Sequence, residues 1–207
     1  MRHKAHEHLR KVDPVFNQLI EKFGHVGIEP RALPPFQSLI HAIAHQQLTG
    51  KAAKTILGRF EALFNHGRFP TPEEVLKLEI EMLRSAGFSR AKAASVVMLA
   101  ERSLAGLVPS MAQCEKMTDA EIVECLTEIK GIGRWTAEMF LMFNLGRPDI
   151  LPVHDFGVRK GFQLAYRKRK MPEPEQLEKF GKRWSPHRTT ASLYLYRAAD
   201  FLKEGEW

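Results

Sequence analysis

The stretch Leu126-Thr-Glu-Ile-Lys-Gly-Ile-Gly-Arg-Trp-Thr-Ala-Glu-Met-Phe-Leu-Met-Phe-Asn-Leu-Gly146 sets two glycines around Ile132, with helix-forming sequence on either side. Neither glycine carries a Cβ, so the backbone can turn sharply there and let another chain come close. Amides at the start of the following helix can point at a phosphate oxygen. The chain continues Arg147-Pro-Asp-Ile-Leu-Pro-Val-His-Asp155, which ends in an acid twenty-two positions after Gly133. Alone, Gly-x-Gly between helices is most often a turn and nothing more. A capped helix before it, an amphipathic helix after it and a single downstream acid sharpen the pattern to a helix–hairpin–helix.

Helical punctuation runs outward from this point in both directions. Asp13-Pro14 is an N-cap followed by proline at the first helical position, and Gly24 closes that segment. Val15, Phe16, Leu19, Ile20 and Phe23 recur at helical spacing and predict a buried stripe. Phe36, Leu39, Ile40 and Ile43 predict a second stripe ending near Gln46-Gln47. Ile56, Leu57, Phe60 and Leu63 predict a third, on a helix from about Lys51. Thr71-Pro-Glu-Glu74 and Thr118-Asp-Ala-Glu121 are capping boxes. Ser89 caps a helix carrying Ala93, Val96, Val97 and Leu104, and Ser185-Pro186 opens a last helix with Leu193, Leu195 and Ala199 on its apolar face. No alternating β-branched run with a hairpin turn occurs. The expectation is an all-α chain of roughly ten helices. Proline-rich stretches at Pro34-Pro35 and from Arg147 to Pro152 are the candidate crossings between two lobes.

Composition narrows the classes of function. The 207 residues include 31 Lys plus Arg against 24 Asp plus Glu, a formal charge of +7, and the pI is near 9.5. Such an excess favours polyanions without specifying a fold. Cys114 and Cys125 are the only cysteines, too few for a disulfide framework or a four-cysteine iron–sulfur site. The nine histidines form no H-x-x-x-H with an adjacent acid, so no catalytic metal is expected. No apolar run reaches the roughly 20 residues of a membrane span. The opening Met-Arg-His-Lys-Ala-His-Glu-His has no apolar segment behind its charges, so no secretory signal is expected.

Five blocks in order give the chain a family likeness. They are His45-Gln-Gln-Leu-Thr-Gly-Lys-Ala-Ala53, Leu83-Arg-Ser-Ala-Gly-Phe-Ser-Arg-Ala-Lys-Ala93, Lys130-Gly-Ile-Gly-Arg-Trp-Thr-Ala-Glu138, Leu145 to Gly161 around Val153-His-Asp155, and Trp184-Ser-Pro-His-Arg188 with Tyr194-Leu-Tyr196. On these residues the chain resembles the helix–hairpin–helix superfamily of DNA base-excision glycosylases, and within it the 3-methyladenine DNA glycosylase II family. The resemblance implies a two-lobed helical fold with a DNA-binding cleft. One lobe would span about 32–147 with the hairpin at 127–136, and the other about 1–31 plus 148–207. Large bacterial members carry an additional N-terminal mixed-sheet domain, for which this chain is too short and too helical at its start. The preferred lesion therefore stays open among 3-methyladenine, 7-methylguanine, hypoxanthine and others.

Site roles follow residue by residue from that likeness. Asp155 before Phe-Gly-Val-Arg-Lys has the look of an N-cap, and the resemblance also makes it the catalytic carboxylate. The two roles are compatible, because a helix N-terminus favours a negative carboxylate and breaking an N-glycosidic bond builds positive charge on the sugar. A fixed anion stabilises that charge and orients the attacking water. Related bifunctional enzymes hold a Schiff-base lysine two residues after the second hairpin glycine. Here that place is Trp135, which has no amine, so lyase chemistry lacks its nucleophile.

The resemblance puts Trp135 and Tyr196 in the base pocket, Tyr196 standing where the family often has tryptophan; core packing is the bland alternative for both. Gln47 corresponds to the residue that relatives insert into the gap left by the flipped base, or else is a solvent-facing helix end. Gly131, Ile132 and Gly133 would meet phosphate, with Lys130, Arg134 and Arg159 as basic partners. Carbonyls of Thr127, Ile129 and Ile132 would hold a structural monovalent cation, sodium or potassium. Arg167-Lys-Arg-Lys170 is either a solvated helix end or a nuclear address.

The expected partner is damaged double-stranded DNA, with no membrane and no obligate protein partner, and the expected state is a monomer. Location would be cytoplasmic with the nucleoid in a prokaryote and nuclear in a eukaryote. Two alternatives stand beside this expectation: a non-catalytic helix–hairpin–helix DNA-binding module, and a bifunctional glycosylase/lyase for oxidised bases.

Overall fold

The computed structural model describes residues 2–48, 50–64 and 67–201, the side chains of residues 2 and 3 excepted. Among the described residues every regular element is helical, as the periodicity predicts. The chain divides into two compact units, one of Met1–Pro30 with Leu141–Trp207 and one of Arg31–Phe140.

In chain order, α1 (Arg2–Val12) and α2 (Pro14–Phe23) open the first unit. The second unit holds α3 (Pro35–His45), α4 (Gly50–Ala62), α5 (Pro72–Leu76), α6 (Ile80–Ser85), α7 (Arg90–Leu104), α8 (Met111–Cys114), α9 (Asp119–Thr127) and α10 (Arg134–Met139). A π-helical turn, Phe140–Asn144, returns the chain to the first unit. There it forms α11 (Phe156–Ala165), α12 (Pro174–Gly181), a 3-10 turn at Lys182–Trp184 and α13 (Arg188–Phe201). Among the described residues the helices outnumber the expected ten, since α6 and α8 have only 6 and 4 residues, too few to show a period.

In the first unit Leu9, Phe16, Leu19, Val158, Phe162, Leu177, Trp184, Tyr194 and Leu195 form one apolar core. A buried carboxylate sits inside it. Asp13 caps α2 by accepting from the Val15 amide at 3.1 Å. Its other oxygen accepts from the Tyr166 hydroxyl at 2.6 Å and the Trp184 indole N–H at 3.0 Å. That satisfies a charge which would otherwise be costly to bury. Removing the carboxylate would strand three donors, the Val15 amide, the Tyr166 hydroxyl and the Trp184 indole N–H, each at roughly 1–3 kcal/mol. Burial, and then the Asp13 charge, push the Tyr166 hydroxyl far above the ordinary tyrosine range.

In the second unit Leu39, Ile40 and Ile43 of α3 share the core with Phe60, Val75, Leu83, Val96, Leu99, Ile122 and Leu126, all fully buried. Thr71 and Thr118 form the predicted capping boxes, Ser110 forms a third, and Ser89 caps α7.

Two local expectations are corrected. Leu104 closes α7 with 47% of its surface exposed, because the last turn runs past the core. The last helix starts at Arg188 rather than at Ser185-Pro186. The Ser185 amide instead closes the preceding turn on the Lys182 carbonyl, and its hydroxyl donates to Asp149. Both cysteines are free thiols. No described helix is long and apolar enough to cross a membrane, and no three metal-ligating side chains gather among the described residues.

Candidate functional site

The hairpin of the second unit is built by hydrogen bonds of its own backbone. The Ile129 amide donates to the Leu126 carbonyl at 3.2 Å and the Ile132 amide to the Ile129 carbonyl at 2.9 Å. Both isoleucines are 2% exposed, so they anchor the turn by apolar burial. The Ile132 amide is thereby used inside the turn.

Gly131 and Gly133 play different parts. Gly131 takes φ +92°, and a Cβ there would lie 1.8 Å from the Ser95 hydroxyl oxygen on α7. Helix α7 therefore demands a glycine at 131. Gly133 caps α10 in extended backbone, and a Cβ there would meet nothing within 4 Å. Nothing in the described fold demands glycine at 133.

Lys130 beside this turn is exposed. The Arg134 side chain is 66% exposed and pairs with buried Glu138 at 3.0 Å. Trp135, on the first turn of α10, is partly buried.

The end of α3 is tied to the same turn. The Gln46 side-chain amide donates to the Gly131 carbonyl at 3.1 Å and to the Thr136 hydroxyl at 2.9 Å. Lys92 donates to the carbonyls of Ala44 at 3.1 Å and Gln46 at 2.7 Å. Burial holds its ammonium below the usual lysine range. A lysine on helix-end carbonyls both caps them and complements the helix dipole. Gln47 takes φ +55° at the exposed tip, followed by Leu48 at 41% exposure. Of two adjacent glutamines, one faces inward to the hairpin and the other stands outside.

In the first unit the approach to Asp155 is stapled to α13. Arg188 meets Asp149 through two nitrogens at 2.8 and 2.9 Å. Thr189 donates to the Arg147 carbonyl at 2.6 Å and accepts from the Ile150 amide at 3.0 Å. Burial would raise the Asp149 carboxyl, but the bonds from Arg188 and Ser185 outweigh it and hold the group below the ordinary aspartate range.

Asp155 then caps α11 as expected, its Oδ1 accepting from the Val158 amide at 2.9 Å, with 8% of its surface exposed. The ring of Tyr196 on α13 lies beside it. A Cβ on Gly157 would be 2.9 Å from Tyr196 Cδ1 and 3.2 Å from Asp155 Oδ1. Ring and carboxylate thus converge on one point.

Arg159, expected at phosphate, donates from Nε to the Pro172 carbonyl at 2.8 Å and lies 3.7 Å from Glu173. It ties α11 to the start of α12 and is only 22% exposed. Arg167 to Lys170 are all exposed in the turn after α11.

The first unit therefore brings Asp155 and Tyr196 together. The second brings together the hairpin and the Gln46–Leu48 turn. Sequence reasoning passed over Gln46, Lys92, Ser95 and Gly157. Ser95 and Lys92 share one face of α7 at i, i+3 spacing, which is the one signal that was available for them.

Residues 40–187 match the model of the HhH-GPD superfamily base excision DNA repair protein family. The chain is 38% identical over 207 residues to the DNA-3-methyladenine glycosylase 1 of Schizosaccharomyces pombe, covering 97% of this chain and 90% of that protein. Among solved structures it is similar to the 3-methyladenine DNA glycosylase of that yeast in complex with abasic DNA, at TM-score 0.88 and 38% identity over 94% of this chain and 95% of that one. It is also similar to the DNA-3-methyladenine glycosidase of Bacillus halodurans, at TM-score 0.79 and 39% identity over 94% and 88%.

Proposed function

Because the chain belongs to the HhH-GPD superfamily of base excision DNA repair proteins, we propose that it is a monofunctional DNA glycosylase. It turns an alkylated purine out of duplex DNA and hydrolyses the N-glycosidic bond, leaving an abasic site. The observation that carries this reading is the Asp155 carboxylate, fixed at the head of α11 beside the Tyr196 ring.

A base in a duplex must be flipped, at a few kcal/mol, before its sugar bond can be reached. Stacking on an aromatic face returns roughly 1–3 kcal/mol per base. Tyr196, beside Asp155 in the first unit, supplies such a face. A purine alkylated on a ring nitrogen carries positive charge, which an electron-rich ring attracts by up to about 2 kcal/mol once water is excluded. That charge also makes the base a good leaving group without a general acid. The bond electrons leave with the base, and positive charge grows on the sugar. Asp155 stabilises it and orients the water whose oxygen bonds to the anomeric carbon, the carboxylate taking the proton that the water gives up.

The grip on the strand belongs to the second unit. Gly131 and Gly133 bring the hairpin backbone against phosphate, with Lys130 and Arg134 adding charge, and binding weakens steeply with salt. Gln47 fills the gap left by the flipped base, where its amide replaces lost base-pair hydrogen bonds. Carbonyls of Thr127, Ile129 and Ile132 suit a hard monovalent cation as an all-oxygen set. Ile129, whose carbonyl accepts from the Ile132 amide, keeps a second lone pair for it.

The reaction type is tested by its product. Incubation with methylated duplex should release free base and leave an unbroken abasic strand. Efficient strand cleavage or a borohydride-trapped adduct would contradict the assignment, since Trp135 offers no amine.

A further inference from the structure

Helices α11 and α13 pack through two glycines one turn apart. A Cβ on Gly161 would lie 1.8 Å from the Leu195 carbonyl oxygen, so that glycine sets the approach of the two backbones. Gly157 faces a side chain instead. Its absent Cβ would fall 2.9 and 3.0 Å from Cδ1 and Cε1 of Tyr196 and 3.2 Å from Asp155 Oδ1. Gly157 lies on the first turn of α11 without a positive φ, so the backbone would accept alanine there. Helix propensity would even favour alanine, by up to about 1 kcal/mol. What keeps the position clear is the ring.

We infer that Gly157 is a positioning residue for base excision: its missing side chain sets the spacing between the Tyr196 ring and the Asp155 carboxylate. The inference rests on the glycosylase reading above. A base stacked on the ring and a sugar over the carboxylate belong to one nucleotide, so the distance between them must match that nucleotide. A methyl group at 157 displaces the ring, because Oδ1 of Asp155 is held by its bond to the Val158 amide. The phosphate grip, made by other residues, is untouched.

The test is single-turnover release of 7-methylguanine from methylated duplex, run beside binding of the same proteins to abasic-site DNA. Gly157→Ala should slow release by about tenfold or more, the scale of a small misplacement of reacting groups. Its affinity for abasic-site DNA should stay within about twofold of native, because phosphate contacts dominate that binding. With the ring removed by Tyr196→Ala, adding Gly157→Ala should cost less than about twofold, since the two effects share one contact. A general packing defect would instead lower release and affinity together and persist without the ring.

Native-like release by Gly157→Ala, or an equal loss in both backgrounds, overturns the inference alone. If Gly157→Ala does not fold, the double variant decides. It should fold and match Tyr196→Ala in rate, and a slower folded double variant overturns the inference. Absence of release by the native chain overturns the glycosylase reading, and this inference with it.

Discussion

The Gln46 side-chain amide donates to the Gly131 carbonyl at 3.1 Å, which ties the exposed turn after α3 to the hairpin. Lys92 holds the same turn from beneath through the carbonyls of Ala44 and Gln46. On the proposed function, one of these loops enters the base stack and the other holds phosphate, so their spacing has to match the duplex. Gln46→Glu keeps the shape of the side chain but sets an acceptor against the Gly131 carbonyl. It should slow base release about tenfold or more while leaving the salt dependence of DNA binding unchanged. Measured release at the native rate would remove Gln46 from the positioning of this turn.

The two hairpin glycines should respond in opposite ways to alanine. At Gly131, φ is +92° and Ser95 blocks the Cβ. Gly131→Ala should therefore destabilise the fold by roughly 1–3 kcal/mol, read by chemical denaturation. At Gly133 the space is open. Gly133→Ala should lower the denaturation midpoint far less than Gly131→Ala, by no more than the loss of a glycine N-cap, and weaken binding to duplex DNA, because the methyl stands where the phosphate backbone comes close. Unaltered DNA affinity in Gly133→Ala would locate the strand elsewhere.

His41 gives stability a pH dependence. Burial first, then Arg31 and His45, lower its pKa from 6.5 to about 4. Among the described residues its Nε2 has no hydrogen-bond partner. Between those values the unfolded chain binds the proton and the folded chain does not, so stability falls as pH drops from 6.5 toward about 4. Denaturation midpoints measured at pH 7 and pH 5 should differ less in His41→Phe than in the native chain, since phenylalanine keeps the ring but cannot titrate. Equal differences would assign the acid sensitivity to other groups.

Much of the fold was legible because its signals are local. Asp13-Pro14 with Gly24, and the boxes at Thr71 and Thr118, place helix ends by contacts three or four residues apart. Asp155 likewise announced itself as a cap. What escaped depends on residues distant in sequence. Two adjacent glutamines are chemically alike, and only Gly131, eighty-five residues from Gln46, distinguishes them. Gly157 has no local mark either, since its neighbour is Tyr196 on another helix. Arg159 has the charge a phosphate partner needs, yet the Pro172 carbonyl and Glu173 occupy it. Short helices such as α8, with 4 residues, carry no period to detect.

Asp155 carries the chemistry of the proposed reaction. Asparagine is as good an N-cap as aspartate, so Asp155→Asn should keep the bond to the Val158 amide and the native fold. Single-turnover release of methylated purines from duplex DNA should then fall at least ~10²-fold, the scale of losing one such charged group. A folded Asp155→Asn protein that releases the base at the native rate would contradict the central claim.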